Sequence, residues 1–216
     1  TPVLCTHFAR ADEPELNTTT LQLELLDKCS QDIAAQHSCA ASAGVIAHPL
    51  SHRHWVRPGY MLYGGSPLKE ATASELGLRP AMELCAQVIA TRDVSTGAAV
   101  GYGGRWVAQR PSRIATIALG YGDGYPRHAA DGTPVLIDGR PCPLAGKVSM
   151  DMITVDVTDH PSVKPGSNAV LWGEAPRGDE VAACADTIGY ELLAALPQRV
   201  PRVIAGDSRA TDVPVS

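Results

Sequence analysis

An excess of positive charge, a long apolar run and a paired-cysteine motif are all missing from this chain, and phenylalanine occurs once in 216 residues. With 18 basic against 23 acidic residues, a net charge of −5, there is no basic stripe that would attract nucleic acid or an anionic membrane. No apolar stretch approaches the ~20 residues of a membrane-spanning helix. The six cysteines, Cys5, Cys29, Cys39, Cys85, Cys142 and Cys184, show no CxxC spacing. That excludes a zinc ribbon or disulfide scaffold and reads as reduced core thiols of a cytoplasmic protein. The first residues, TPVLCTHFARAD, have neither the basic nor the apolar region of a targeting signal. The histidines of HPLSHRH, His48, His52 and His54, have no accompanying carboxylate or cysteine, and Pro49 disfavours a helix through them, so no metal is expected. The glycines at Gly101–Gly104 and Gly120–Gly124 do not open a helix after a strand, so they are not a dinucleotide fingerprint.

What is present is an ordinary globular composition, 44% hydrophobic and 19% charged, and a change of period near Ser66–Leu78. Before it, short apolar segments alternate with helical ones. Val3–Phe8, Ser38–Val45 and Val56–Tyr63 read as strands. Thr18–Gln36 reads as a helix with Leu21, Leu25, Cys29 and Ile33 on one face and an N-cap among Thr18–Thr20. That alternation is the signature of parallel βα units. Three such units cannot close an eight-stranded barrel, and the chain enters a strand directly after Thr1, so we expect a piece of a larger protein with an exposed parallel edge. After the change, Val88–Thr91, Ile114–Leu119, Val135–Ile137, Val148–Val157 and Ala169–Trp172 are strand-like, with Asp138–Gly139 as a type I′ hairpin turn. Asp179–Leu196 supplies one or two helices, interrupted around Ile188–Gly189, before the tail QRVPRVIAG. The expected fold class is α/β over residues 1–70 followed by a mainly-β domain over residues 71–216.

Three glycine-flanked segments, AVGYGGRW at Ala99–Trp106, GYGDGYPR at Gly120–Arg127 and GKVSMDM at Gly146–Met152, each bring one polar group, Tyr102, Tyr121 or Asp151, to a place where backbone can approach a ligand closely. Upstream stand THFARAD at Thr6–Asp12, AAS at Ala40–Ser42 and VRPGYMLYG at Val56–Gly64; downstream stands TIGYELL around Tyr190. Singly, each has a plainer reading: His7 as a polar residue at a strand end, Tyr102 filling a hairpin, Arg57 or Ser42 as surface residues. Asp123 and Asp131 read as turn residues.

In this order the motifs resemble the alanine racemase family, whose members use pyridoxal 5′-phosphate. The resemblance implies the C-terminal part of a (β/α)8 TIM barrel followed by a β-rich domain. By it, His7 stacks on the cofactor ring, Ser42 and Tyr190 hold its phosphate with backbone N–H groups of Gly59 and Tyr60, and Arg57 faces the pyridine nitrogen. Tyr102 is the catalytic tyrosine. Met150 meets the substrate carboxylate through its backbone, and Asp12, Tyr121, Arg127 and Asp151 lie at the entrance. The family's cofactor-lysine segment, of the type KANAYGHG, does not occur here; Lys28, Lys69, Lys147 and Lys164 stand in other contexts. Tyr60 also departs from the small or branched aliphatic residue usual after the motif glycine, Ala41 from asparagine, and Lys147 from arginine.

The implied chemistry suits these residue types. Racemisation takes a proton from one face of Cα and returns one to the other, so two bases must flank the reacting carbon. A tyrosine, ordinarily near pKa ~10, serves as a base only beside positive charge. An arginine, with a pKa above ~12, leaves a pyridine nitrogen unprotonated. The resemblance further implies a small amino-acid substrate, production of D-alanine for peptidoglycan, and a head-to-tail homodimer in which the second domain completes the partner's site. It also implies that this chain alone is inactive until joined to the remaining barrel, in the same polypeptide or as a separate chain. A broad-specificity serine or lysine racemase and a non-catalytic module of the same fold are the alternatives. Retention of Tyr102, Arg57 and Tyr190 together argues against the module.

Overall fold

The structure, a computed structural model, describes residues 1–204; the last two residues of QRVPRVIAG and the remainder of the expected second domain lie outside the described residues. The chain begins as β1 (Val3–Cys5), α1 (Thr18–Ser30), β2 (Gln36–Ala41), α2 (Ser42–Ala47) and β3 (Trp55–Arg57). The three strands form a parallel sheet in the order β1-β2-β3, as the strand and helix alternation predicts. A small core of Phe8, Ala11, Leu23 and Cys39 joins it to α1.

Several boundaries differ from the sequence reading, each for a local reason. The second strand stops at Ala41, and Ser42 starts α2. The third stops at Arg57 because Pro58 has no N–H for the ladder, and Tyr60–Tyr63 winds into a 3-10 turn instead. Helix α1 ends at Ser30, and its N-cap is Asn17 rather than a threonine. Its buried positions are Thr19, Leu23 and Ser30, whereas Leu21, Leu25, Cys29 and Ile33 are exposed. The helix carries two apolar stripes roughly opposite one another, and only one can lie on the sheet. Cys5, Cys29 and Cys85 are exposed, so the thiols are not all core residues; Cys39 and Cys142 are buried.

The second unit comprises β4 (Leu84–Val94), β5 (Ala99–Val100), β6 (Trp106–Val107), β7 (Ser112–Ile117), β8 (Pro134–Ile137), β9 (Arg140–Pro143), β10 (Ile153–Asp156), β11 (Asn168–Trp172), α3 (Gly178–Ala183) and α4 (Gly189–Ala195). Six strands pair antiparallel in the order β10-β7-β4-β11-β8-β9. A bridge between Leu144 and Val155 brings the two ends of that sheet together, which covers edges that would otherwise be open. The β8–β9 turn has φ 44° at Asp138 and 81° at Gly139, the two positive values a type I′ turn requires. The strand expected over Val148–Val157 is confined to β10. Gly146 has φ 97°, and the Ser149 N–H closes on the Met152 carbonyl at 3.0 Å, so the residues before Ile153 form a loop. The expected break at Ile188–Gly189 separates α3 from α4.

Ile117 stands at the centre of this unit, opposite Val88 on one side and Ile153 on the other, with all three essentially inaccessible. Ile117→Ala is expected to lower unfolding free energy by about 2–5 kcal/mol, read from the urea midpoint at unchanged slope.

Candidate active site

Parallel strands leave their ligand sites at the carboxyl ends, where loops diverge from a fixed sheet. Here His7 follows β1, Ser42 follows β2, and Arg57 ends β3 with Gly59 and Tyr60 just beyond. All five line one open cleft of about 1160 Å³, together with Asp12 and, from the second unit, Tyr190 of α4. The seven residues come from segments spread over nearly the whole described chain.

Arg57 is held rigidly. One terminal nitrogen donates to the Ser38 carbonyl at 2.7 Å and the Ser38 hydroxyl at 2.8 Å; the other donates to the Thr6 carbonyl at 2.7 Å and the Cys39 carbonyl at 3.4 Å. Its charge is thus pinned at the end of β3 to the residue following β1 and to the middle of β2. Ser42 Oγ accepts the Gly59 N–H at 3.0 Å and the Met61 N–H at 3.3 Å. The Gly59 amide is therefore engaged by Ser42, while the serine keeps a hydroxyl proton to donate. Tyr60 stacks on Tyr190 with ring centroids 4.1 Å apart and donates its hydroxyl to Asp179. Burial first, then Asp179, pushes the Tyr60 phenol above the ordinary tyrosine range. Burial first, then Asp12 and Asp179, pushes Tyr190 up as well. Both phenols are therefore neutral at neutral pH, and a neutral phenol can donate to an anion.

Tyr102, Tyr121, Arg127, Met150 and Asp151 form a second group, and none of them lines the cleft. Tyr102 is 72% exposed in the turn between β5 and β6. The Tyr121 N–H donates to the Ser149 carbonyl at 3.0 Å and the Gly122 N–H to the Met150 carbonyl at 2.8 Å, so the two loops are zipped together. The Arg127 guanidinium lies 5.8 Å from the Tyr121 ring centroid, within cation–π range. Arg199 bridges Asp123 at 2.9 Å and Asp151 at 3.4 Å.

Several supporting residues escaped the sequence reading. Arg105 donates to the carbonyls of Ala129 and Gly146 at 3.0 and 2.8 Å and to Asp131 at 3.1 Å. Asp131, read as a turn residue, also accepts the Gly146 N–H at 2.7 Å; together they clamp the Tyr102 hairpin to the neighbouring loop. Asp123 closes a turn by accepting the Gly120 N–H at 2.9 Å as well as pairing with Arg199. Asp179 meets Tyr60 from 119 positions away, a separation no local pattern reveals. On the cleft's outer wall the Ser66–Ser74 segment is tied down by Lys69, through its backbone to Asp12 at 3.1 Å and its ammonium to Glu13 at 3.1 Å. The His48, His52 and His54 rings each engage a backbone group. Among the described residues no cluster suits a metal ion, and no helix is long and apolar enough to cross a membrane.

Comparison with known proteins decides the family. The alanine racemase C-terminal domain model matches residues 81–204 and the alanine racemase N-terminal domain model residues 2–67. The chain belongs to the alanine racemase family. It is 51% identical over 200 residues to the biosynthetic alanine racemase of Pseudomonas aeruginosa, covering 92% of this chain and 56% of that protein. The crystal structure of the biosynthetic enzyme from P. aeruginosa superposes with a TM-score of 0.90 at 49% identity, over 94% of this chain and 57% of the other. An alanine racemase from Bartonella henselae, solved with covalently bound pyridoxal phosphate, superposes at 0.83 with 30% identity, over 93% and 56%. The chain thus spans about half the length of the curated relatives it matches. Its fold is that of the corresponding part of alanine racemases, the end of the barrel and the β-rich domain.

Two measurements probe the site's supports. Arg105→Ala is expected to speed amide exchange at Gly101–Arg105 by about tenfold or more, from loss of charge-assisted bonds worth about 1.5–3 kcal/mol. Glu13 is held well below the usual carboxylate range, at about 2 against 4.5, by Arg10 first and Lys69 second. Its ion pairs are complete above pH 4.5 and fade as the pH falls toward 2. An NMR titration of the Glu13 carboxyl carbon should show that low midpoint, with Arg10→Gln raising it more than Lys69→Gln.

Proposed function

We propose that the protein containing this chain interconverts L- and D-alanine with pyridoxal phosphate bound in the cleft. The observation that carries this reading is the convergence of His7, Ser42, Arg57, Gly59, Tyr60 and Tyr190 on one cleft, with an arginine whose position is fixed by backbone carbonyls of the two neighbouring strand segments. The residues fit the cofactor. A free serine hydroxyl proton and a neutral phenol suit a phosphate. A guanidinium that cannot lose its proton suits an unprotonated pyridine nitrogen, and His7 at the strand end gives a flat group for the ring. Bound there, the cofactor supplies the electron-withdrawing conjugation that makes the Cα proton of an amino acid removable.

In this reading Tyr102 takes or gives the proton on one face of Cα, and a lysine supplied from outside this chain does so on the other. The Met150 backbone meets the substrate carboxylate, and Asp12, Tyr121, Arg127 and Asp151 shape the approach. Tyr102 stands outside its own chain's cleft, so it serves a second copy in a homodimer, and the product D-alanine feeds peptidoglycan. The 216-residue chain alone is inactive. Its sheet edges at Val3 and at Trp55–Val56 are exposed, as they are where the rest of a barrel pairs with them.

Purified full-length protein should racemise alanine in both directions and faster than serine or lysine, and the 216-residue chain alone should not. Tyr102→Phe should lower kcat by about 10²–10⁴-fold with cofactor affinity unchanged. Full-length protein without racemase activity, or a Tyr102→Phe variant with undiminished turnover, refutes the assignment.

A further inference from the structure

Tyr60 occupies the seam between the two units and is 6% exposed. Its ring lies nearly parallel to that of Tyr190, at 23° between planes and 4.1 Å between centroids. Its hydroxyl donates to Oδ1 of Asp179, while Oδ2 of the same carboxylate accepts the Ser66 N–H at 2.9 Å. Two glycines make room for it. A Cβ on Gly65 would overlap the Tyr60 ring, and one on Gly189 would overlap its hydroxyl; this close approach is one that only glycine permits. The ring is therefore boxed, stacked and tethered, and three segments of chain cooperate to hold it.

We propose that Tyr60, anchored by Asp179, is a positioning residue that fixes the Tyr190 hydroxyl at the phosphate end of the cleft. The inference rests on the cofactor reading above and adds to it a device for gripping the phosphate. Tyr190 is 44% exposed and sits on a helix of seven residues, so its own helix leaves the ring room to move. The stack confines it to one plane, because offset aromatic pairs lose their attraction as the rings slide apart. Tyr60 can impose that plane because it cannot turn itself: its proton is committed to Asp179, and Asp179 is committed to Ser66. Of the two phenols, Tyr190 alone has a proton left for a ligand. Tyr60 comes from the parallel-sheet unit and Tyr190 from the second unit, so the stack also aligns one wall of the cleft with the other.

Loss of this device weakens binding of a phosphate-bearing ligand selectively. The test titrates pyridoxal phosphate and, separately, pyridoxal into the cofactor-free full-length protein, following quenching of intrinsic fluorescence. Tyr60→Ile, which removes both stack and tether, should weaken pyridoxal phosphate about tenfold. Tyr60→Phe and Asp179→Asn, which keep the ring, should weaken it about threefold. Pyridoxal affinity should change by less than about twofold in all three. Tyr60→Phe removes one oxygen only, so a folded variant is available even if Tyr60→Ile unfolds. Equal losses for both ligands, or unchanged affinities, overturn the positioning role while leaving the cofactor reading intact. A wild-type protein that binds pyridoxal as tightly as pyridoxal phosphate overturns both.

Discussion

The guanidinium of Arg57 is the constraint on which the cleft depends. Where parallel strands lie side by side, carbonyls of neighbouring strands come within reach of one long side chain, and such groups need partners when half-buried. Arg57 supplies them at Thr6, Ser38 and Cys39 at once. A planar fork with several donors can do this; an ammonium, with a compact charge on a flexible stem, cannot hold the same set in a fixed plane. Because the tie crosses β1, β2 and β3, the residues that follow those strands, His7, Ser42 and Gly59, are fixed relative to one another. Such charge-assisted bonds contribute about 1.5–3 kcal/mol each when their partners are shielded, less here where the group is partly exposed.

The second wall is attached through phenols and carboxylates. Asp179 accepts from Tyr60 and Ser66, both on the far side of the domain junction, so α3 is bound to the segment following β3. Lys69 draws the same segment toward Asp12 and Glu13. Hydrophobic packing is concentrated in the six-stranded unit, and the parallel sheet has a core of only a few residues. Polar ties therefore do at the junction what buried apolar area does inside the second unit. They leave a cleft with neutral donors facing inward.

Much of this was legible in the sequence because it is local. Alternating strands and helices, the Asp138–Gly139 turn, the break at Ile188–Gly189 and the position of His7 near a strand end all follow from residues within a few positions of one another, whereas Ser42 and Arg57, expected inside strands, stand just past β2 and at the end of β3. The failures are of three kinds. Leu21 and Leu25 form an apolar stripe as regular as the buried one, so periodicity alone could not say which faces the sheet. Asp131 and Asp179 look like turn or helix-start residues, and their roles depend on Arg105 and Tyr60, which are distant in sequence. The end of β3 was misread for a third reason: a single proline outweighed the apolar run that follows it.

The distribution of exposure bears on assembly. A general base acts only within hydrogen-bond reach of the proton it moves, about 2.6–3.2 Å. Tyr102 projects from a hairpin turn and is absent from the lining of its own chain's cleft, so the proposed chemistry requires a second copy to present its hairpin. A two-fold arrangement meets that need with each hairpin used once and each cleft filled once. Such docking is easier when the presented loop is already ordered, because less conformational freedom is lost on association. Arg105 and Asp131 order it in the single chain, drawing the turn onto Gly146, and the Tyr121 and Met150 loops are zipped together beside it. In the proposed dimer the second unit is thus the ordered presenter, and the first the receiving cleft.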